Sequence, residues 1–181
     1  VEVNRPTHVF VQAGVGSLAG GVVGYFANLY PNNPPKFIVM EAGAADCLYK
    51  GAEAGDGEPR IVGGDLQTIM AGLACGEPNT IGWDILRNHV SAFISCPDWV
   101  SAKGMRMLAA PVKGDPSVTS GESGAVGMGV ISSIMTDDDY KELREALELD
   151  NSSQVLMFST EGDTDPDKYK KIVWGGEYPT V

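Results

Sequence analysis

Positive charge is scarce: 13 Lys and Arg stand against 24 Asp and Glu, a formal net charge of −11. So acidic a surface repels phosphate backbones and disfavours a nucleic-acid partner. Histidine is scarcer still, with two. The three cysteines (Cys47, Cys75, Cys96) form neither a C-x-x-C pair nor an even disulfide set. No spacing of Cys, His and carboxylate matches a zinc centre. Unpaired thiols are what a reducing compartment leaves, so the expected location is the cytoplasm. No apolar run reaches the ~20 residues that span a bilayer, and no basic segment precedes a short hydrophobic one. The chain also lacks an initiator Met. It begins VEVNRPTHVF and enters a strand-like run at once, which reads as a piece of a longer chain.

What is present is globular: 181 residues, 43% apolar and 20% charged, with 23 Gly and 11 Pro, a single domain's worth of core. Short β-branched runs alternate with helical patterns, the signature of an α/β sheet with helices on both faces. Strands are expected at 7–12, 37–42, 92–96 and 154–159. Helices are expected at 18–30, 45–50, from Gln67 to Gly76, and at 81–90, 97–110, 122–135 and 137–149, with a loop at 51–65. The tract PNNPP stops the first helix. A mostly parallel, open sheet follows.

Three Gly-rich or hydroxyl-rich loops lie beside these strands. QAGVGSLAGG (12–21) joins a strand to a helix. There, helix N–H groups point outward unpaired and glycine lets backbone approach an anion, although the glycines could equally serve a tight turn alone. GVGSLA also fits the dinucleotide fingerprint, with Glu41 as the acid for a ribose, but 27 positions separate it from Gly14, against roughly 20 in that fingerprint. TSGESGAVGMG (119–129) opens a second helix with Glu122 at its start, its small residues serving either close packing or a ligand. FSTEGDTDP (158–166) sets Ser159 and Thr160 at the carboxyl end of a strand, the side of an open α/β sheet where ligands lie.

Other chemistries find no support. GESGA is not a G-x-S-x-G nucleophile elbow, and neither GEPNT nor GVGSL carries the Lys of a P-loop. His8 reads as a strand residue and His89 as a helix residue. Asp137, Asp138 and Asp139 read as a solvated helix start.

Together, THVFVQAGVGSLAGG, TIMAGLACGEPN, SGESGAVGMG and STEGDTDPDKYKKIVWGG resemble the fold-type II pyridoxal-phosphate enzymes, the superfamily of tryptophan synthase β and threonine dehydratase. Within it they resemble the diaminopropionate ammonia-lyases, over nearly the whole chain. The resemblance implies that residues 1–181 are the C-terminal part of the cofactor-binding large domain, and that the partners are a small amino-acid substrate, the N-terminal half and a second copy in a homodimer. It implies that Gly14, Val15, Gly16 and Ser17 cradle the phosphate of pyridoxal 5′-phosphate, and that Gly21 lets the following helix pack closely. It further implies that Glu122 lies near the pyridine ring, and that Ser159 or Thr160 faces the ring nitrogen. A neutral hydroxyl there suits β-elimination over transamination. The reaction implied converts 2,3-diaminopropionate to pyruvate and ammonia. A serine/threonine-type dehydratase, or a dinucleotide- or ligand-binding module without chemistry, are the alternatives.

The chain departs from the family in two places. Where some dehydratase relatives place a metal-binding acid six residues after a Glu, Cys47 follows Glu41, so no metal is expected. None of Lys36, Lys50, Lys103, Lys113, Lys141, Lys168, Lys170 or Lys171 stands in the Ser/Asn, Lys, Arg context of the family's covalent lysine. No catalytic residue is therefore assigned to this chain. Cys47 and Cys75 either pair or stay free and buried.

Overall fold

The computed structural model describes residues 5–180. Four strands, β1 (His8–Gln12), β2 (Lys36–Ala42), β3 (Val90–Cys96) and β4 (Val155–Met157), form one parallel sheet in the order β3-β2-β1-β4. The strands alternate between two cores, as period-2 side chains must. Phe10, Ile38 and Met40 face α4 (Asp98–Ala109), α5 (Glu122–Thr136), α6 (Lys141–Leu147) and α7 (Pro166–Val173). Val9, Val11, Phe37 and Val39 face α1 (Ser17–Leu29), α2 (Cys47–Ala54) and α3 (Thr80–His89). Both faces are covered, which is why β1 is buried along its whole length. His8 is a buried strand residue bonded to Thr7 and the Leu147 carbonyl.

The chain winds outward from β1 through β2 to β3, then returns to the other side of β1 with β4. The winding reverses between β1 and β4. At such a switch point the loops leaving adjacent strands diverge and open a crevice at the carboxyl edge.

The helices meet through glycine. A Cβ on Gly104 would stand 2.0 Å from the Ala125 carbonyl oxygen, and one on Gly129 would stand 1.9 Å from that of Val100. The small residues of α5 thus bring it against α4 at backbone distance. The close approach of α1 rests on Gly20, whose Cβ would meet Gly82 Cα at 3.0 Å, and not on Gly21, which faces open space.

One expected helix is replaced by irregular chain, one helix arises where none was expected, and α2 runs on to Ala54 into the stretch expected as loop. Residues 67–76 form only a single 3₁₀ turn, Ala71–Leu73. Neighbouring side chains take the amides that a helix would use: Asp98 binds Ile69 N–H and the Thr68 hydroxyl, the latter binds Met70 N–H, and Ser123 Oγ binds Gly72 N–H. α7 is a helix that the strand and helix pattern did not assign; it begins at Pro166, the last residue of FSTEGDTDP. Asp165 caps it by accepting from Lys168 N–H, with Pro166 in its first turn and Lys170 and Lys171 in its last. These start and stop signals are present in DTDPDKYKK.

Candidate functional site

β1 ends at Gln12, and the chain turns through 13–16 into α1. The carbonyls of this turn are tied inward, Val15 O accepting from Asn79 N–H at 2.7 Å and Gly16 O from Gly20 N–H at 2.8 Å. Gly16 is the N-cap of α1 with φ 89°, a left-handed conformation that glycine adopts without strain. No side chain caps α1 and no acidic residue stands in its first turn. The first amides of the helix therefore point out with no partner and carry the positive end of its dipole.

They open on a cleft of about 350 Å³ lined by Gly14, Val15, Gly16, Ser17 and Leu18 on one side, by Gly72, Leu73 and Cys75 on another, and by Gln12, Ser123, Thr160 and Glu161 at the switch point. A Cβ on Gly14 would sit 3.4 Å from both the Gly72 oxygen and Leu73 Cα, narrowing the space between two walls. The loop after β4 crosses that before α5 at another glycine: Gly121 N–H donates to Glu161 O at 3.1 Å, and a Cβ on Gly121 would stand 2.4 Å from the Gly162 oxygen.

Of the residues singled out from sequence, the structure brings Gly14, Val15, Gly16, Ser17 and Thr160 into this one cleft. Ser159 is turned aside, its hydroxyl donating to Ser120 Oγ at 2.9 Å. Glu122 is nearly buried outside the lining, with its carboxylate 3.6 Å from Lys168 Nζ. Sequence reasoning missed Gln12, Ser123 and Glu161. A polar residue ending an apolar strand was the available signal for Gln12.

Glu41, near the end of β2, lies outside the cleft lining. Its carboxylate accepts from Leu48 N–H at 2.9 Å and Tyr49 N–H at 2.7 Å, at the start of α2. It is fully buried and engaged there, so the ribose-binding acid of a dinucleotide site is absent from its expected place. Burial outweighs those two bonds and pushes the carboxyl from its ordinary 4.5 up to about 7, with Asp46 adding repulsion. The Cys47 thiol beside it lies 3.5 Å from the Cys75 carbonyl oxygen, and burial with the Glu41 charge pushes it up to about 12. Cys47, Cys75 and Cys96 are all free thiols.

A titration consequence follows from Glu41. The folded chain holds the Glu41 proton between pH 4.5 and 7 while the unfolded chain releases it, so this group's contribution to stability falls as pH rises through that interval. The shift corresponds to about 3 kcal/mol. Glu41→Gln removes the titration, so the stability difference between wild type and variant should shift by about that amount between pH 4.5 and 8, the wild type being relatively better at acid pH. Denaturant unfolding at several pH values reads it. Parallel pH profiles would show that burial does not raise this carboxyl.

A doubly wound parallel sheet with an uncapped, glycine-led helix start at its switch point defines an α/β unit of the kind suited to an anionic cofactor. The profile of the family described as "Pyridoxal-phosphate dependent enzyme" matches residues 1–161, and the chain belongs to that family. It is 54% identical to the diaminopropionate ammonia-lyase of Salmonella typhimurium over 172 residues, 94% of this chain and 43% of that protein. The crystal structure of the diaminopropionate ammonia-lyase of Escherichia coli in complex with D-serine superposes with a TM-score of 0.89 at 46% identity, over 98% of this chain and 44% of that one. Maize serine racemase, at 21% identity and a TM-score of 0.73, shares the fold. The chain thus spans under half the length of the first two relatives.

The cleft fits pyridoxal phosphate on its own chemistry. Unpartnered amides and the absence of acid at the start of α1 suit a phosphate, glycine at 14 leaves space between the cleft walls, and Thr160 offers a neutral hydroxyl in the lining.

Proposed function

We propose that this chain is the C-terminal part of the cofactor-binding domain of a pyridoxal-phosphate-dependent ammonia-lyase that converts 2,3-diaminopropionate to pyruvate and ammonia. The uncapped start of α1 inside the switch-point cleft carries the reading, and the 54% identity to a diaminopropionate ammonia-lyase supports the choice of substrate over that of a serine/threonine-type dehydratase.

The amides at 14–17 would hold the phosphate and so fix the cofactor along the β1 edge. Thr160 would face the ring nitrogen in preference to Ser159, whose hydroxyl is given to Ser120. Glu122 would act on the ring only at a distance, from behind Ser123. When bound, pyridoxal phosphate withdraws electron density from the substrate α-carbon, which makes the α-proton removable. Leu73, Cys75 and Leu18 would screen the cleft from water on its open side. Glu161 is the one carboxylate in the lining, and its Oε1 accepts from Ser123 N–H at the start of α5. The lysine and the acid–base groups would come from the remainder of the longer protein.

We assign that protein to the cytoplasm as a homodimer, on the free cysteines and on the resemblance to the family. No helix among the described residues is long and apolar enough to cross a membrane. The whole protein, loaded with pyridoxal phosphate, should show the absorbance of a lysine-bound cofactor and release pyruvate from 2,3-diaminopropionate far faster than from serine. The opposite preference would make it a dehydratase, and no cofactor absorbance would reject the reading.

A further inference from the structure

Gln12 ends β1 on the face that carries Phe10, and at 2% exposure its amide needs partners inside the protein. Its Nε2 lies 2.9 Å from the Phe158 carbonyl oxygen and 2.8 Å from Thr160 Oγ1. A carbonyl oxygen only accepts, so the group facing Phe158 must be the NH₂, and the orientation of the whole amide follows from that contact. Its two hydrogens are then divided between Phe158 and Thr160. The Thr160 oxygen receives one, and its own proton goes to no protein acceptor among the described residues. That proton is free for the cleft, which Thr160 lines. A hydroxyl that accepts one bond also donates a stronger one.

We infer that Gln12 is a positioning residue that sets the polarity of the Thr160 hydroxyl, making it a donor toward the ring nitrogen of the cofactor and so keeping that nitrogen unprotonated. This rests on the reading of the cleft as a pyridoxal-phosphate site. A neutral ring withdraws less charge than a pyridinium and favours loss of a β-substituent over transamination. Gln12 lines the cleft at only 2% exposure, and its amide hydrogens are given to Phe158 and Thr160, so its effect runs through Thr160.

The test uses the whole protein loaded with pyridoxal 5′-phosphate carrying ¹⁵N in the ring, and reads the ring-nitrogen chemical shift and the cofactor dissociation constant. Wild type and Thr160→Ser should show an unprotonated, hydrogen-bonded nitrogen. Thr160→Val should move the shift toward free pyridine and weaken cofactor binding about two- to tenfold, the worth of one neutral hydrogen bond. Gln12→Glu puts an acceptor where the donor was, draws the Thr160 proton inward and should move the shift toward pyridinium. Gln12→Met keeps the volume without the donor, so it covers a failure of Gln12→Glu to fold, and it should weaken binding as Thr160→Val does. Unchanged shift and affinity in both Gln12 variants, with a clear effect in Thr160→Val, would overturn the role of Gln12 and leave the site reading intact. Failure of the wild type to bind the cofactor would overturn both.

Discussion

Gly16→Asp in the whole protein should lower affinity for pyridoxal phosphate by roughly a hundred- to thousandfold. The new carboxylate would stand at the N-cap of α1, beside the amides proposed to hold the phosphate. Unit charges 4 Å apart at an effective dielectric constant of 20 repel by about 4 kcal/mol, and each 1.4 kcal/mol is tenfold in affinity. Two further effects accompany the charge. Gly16 has φ 89°, and a Cβ there would meet Leu48 and Leu86 methyl groups at 3.2 Å, so the substitution also strains the fold. Gly16→Asn separates these contributions, because asparagine shares the size and tolerates the left-handed conformation but carries no charge. Titration of each apoprotein with pyridoxal phosphate, followed by absorbance, gives the comparison. The Asn variant should retain most of the affinity that the Asp variant loses. Equal losses would mean that strain alone disturbs the loop, and unchanged affinity in both would place the phosphate elsewhere.

The parts of this architecture that depend on local pattern were legible in the sequence. The run HVFVQ and the Gly-rich turn after it announced a buried strand delivering a helix start, and that junction forms one wall of the cleft. Tertiary partners decided the remainder. Residues 67–76 have helical spacing, but Asp98 and Ser123, 29 to 51 positions away, take their amides. Glu41 ends a strand where a ribose-binding acid would stand, and only the fold shows α2 closing over it. Ser159 and Thr160 are adjacent hydroxyls that no sequence pattern distinguishes. Ser120 and Gln12 divide them: Ser159 gives its hydroxyl to Ser120, while Thr160 bonds to Gln12 and lines the cleft. Gln12 itself carried the least warning, because its function depends on a partner 148 positions away.

Residues 1–181 expressed alone should release no pyruvate from 2,3-diaminopropionate, while the longer protein should turn the substrate over steadily. Covalent attachment of the cofactor needs a lysine amine at the cleft, and none of the lysines lines it. Lys36 pairs with Glu148 at the amino end of β2, at the opposite edge of the sheet, Lys50 pairs with Glu53 on the exposed face of α2, and Lys103 donates to Ser133. Lys168 pairs with the Glu122 carboxylate at 3.6 Å and is not among the residues that line the cleft. Without a covalent tether, the isolated chain has only the proposed phosphate contacts of 14–17 and the proposed ring contact of Thr160, and should bind the cofactor weakly and reversibly. Dialysis should remove it, and borohydride should fix none to the polypeptide. Adding the remaining half of the protein, in one chain or as a separate fragment, should restore both covalent capture and pyruvate release. Steady turnover by residues 1–181 alone, or cofactor fixed by borohydride to one of these eight lysines, would show that the covalent lysine lies within this chain and that the cleft closes around it in a way the present arrangement does not provide.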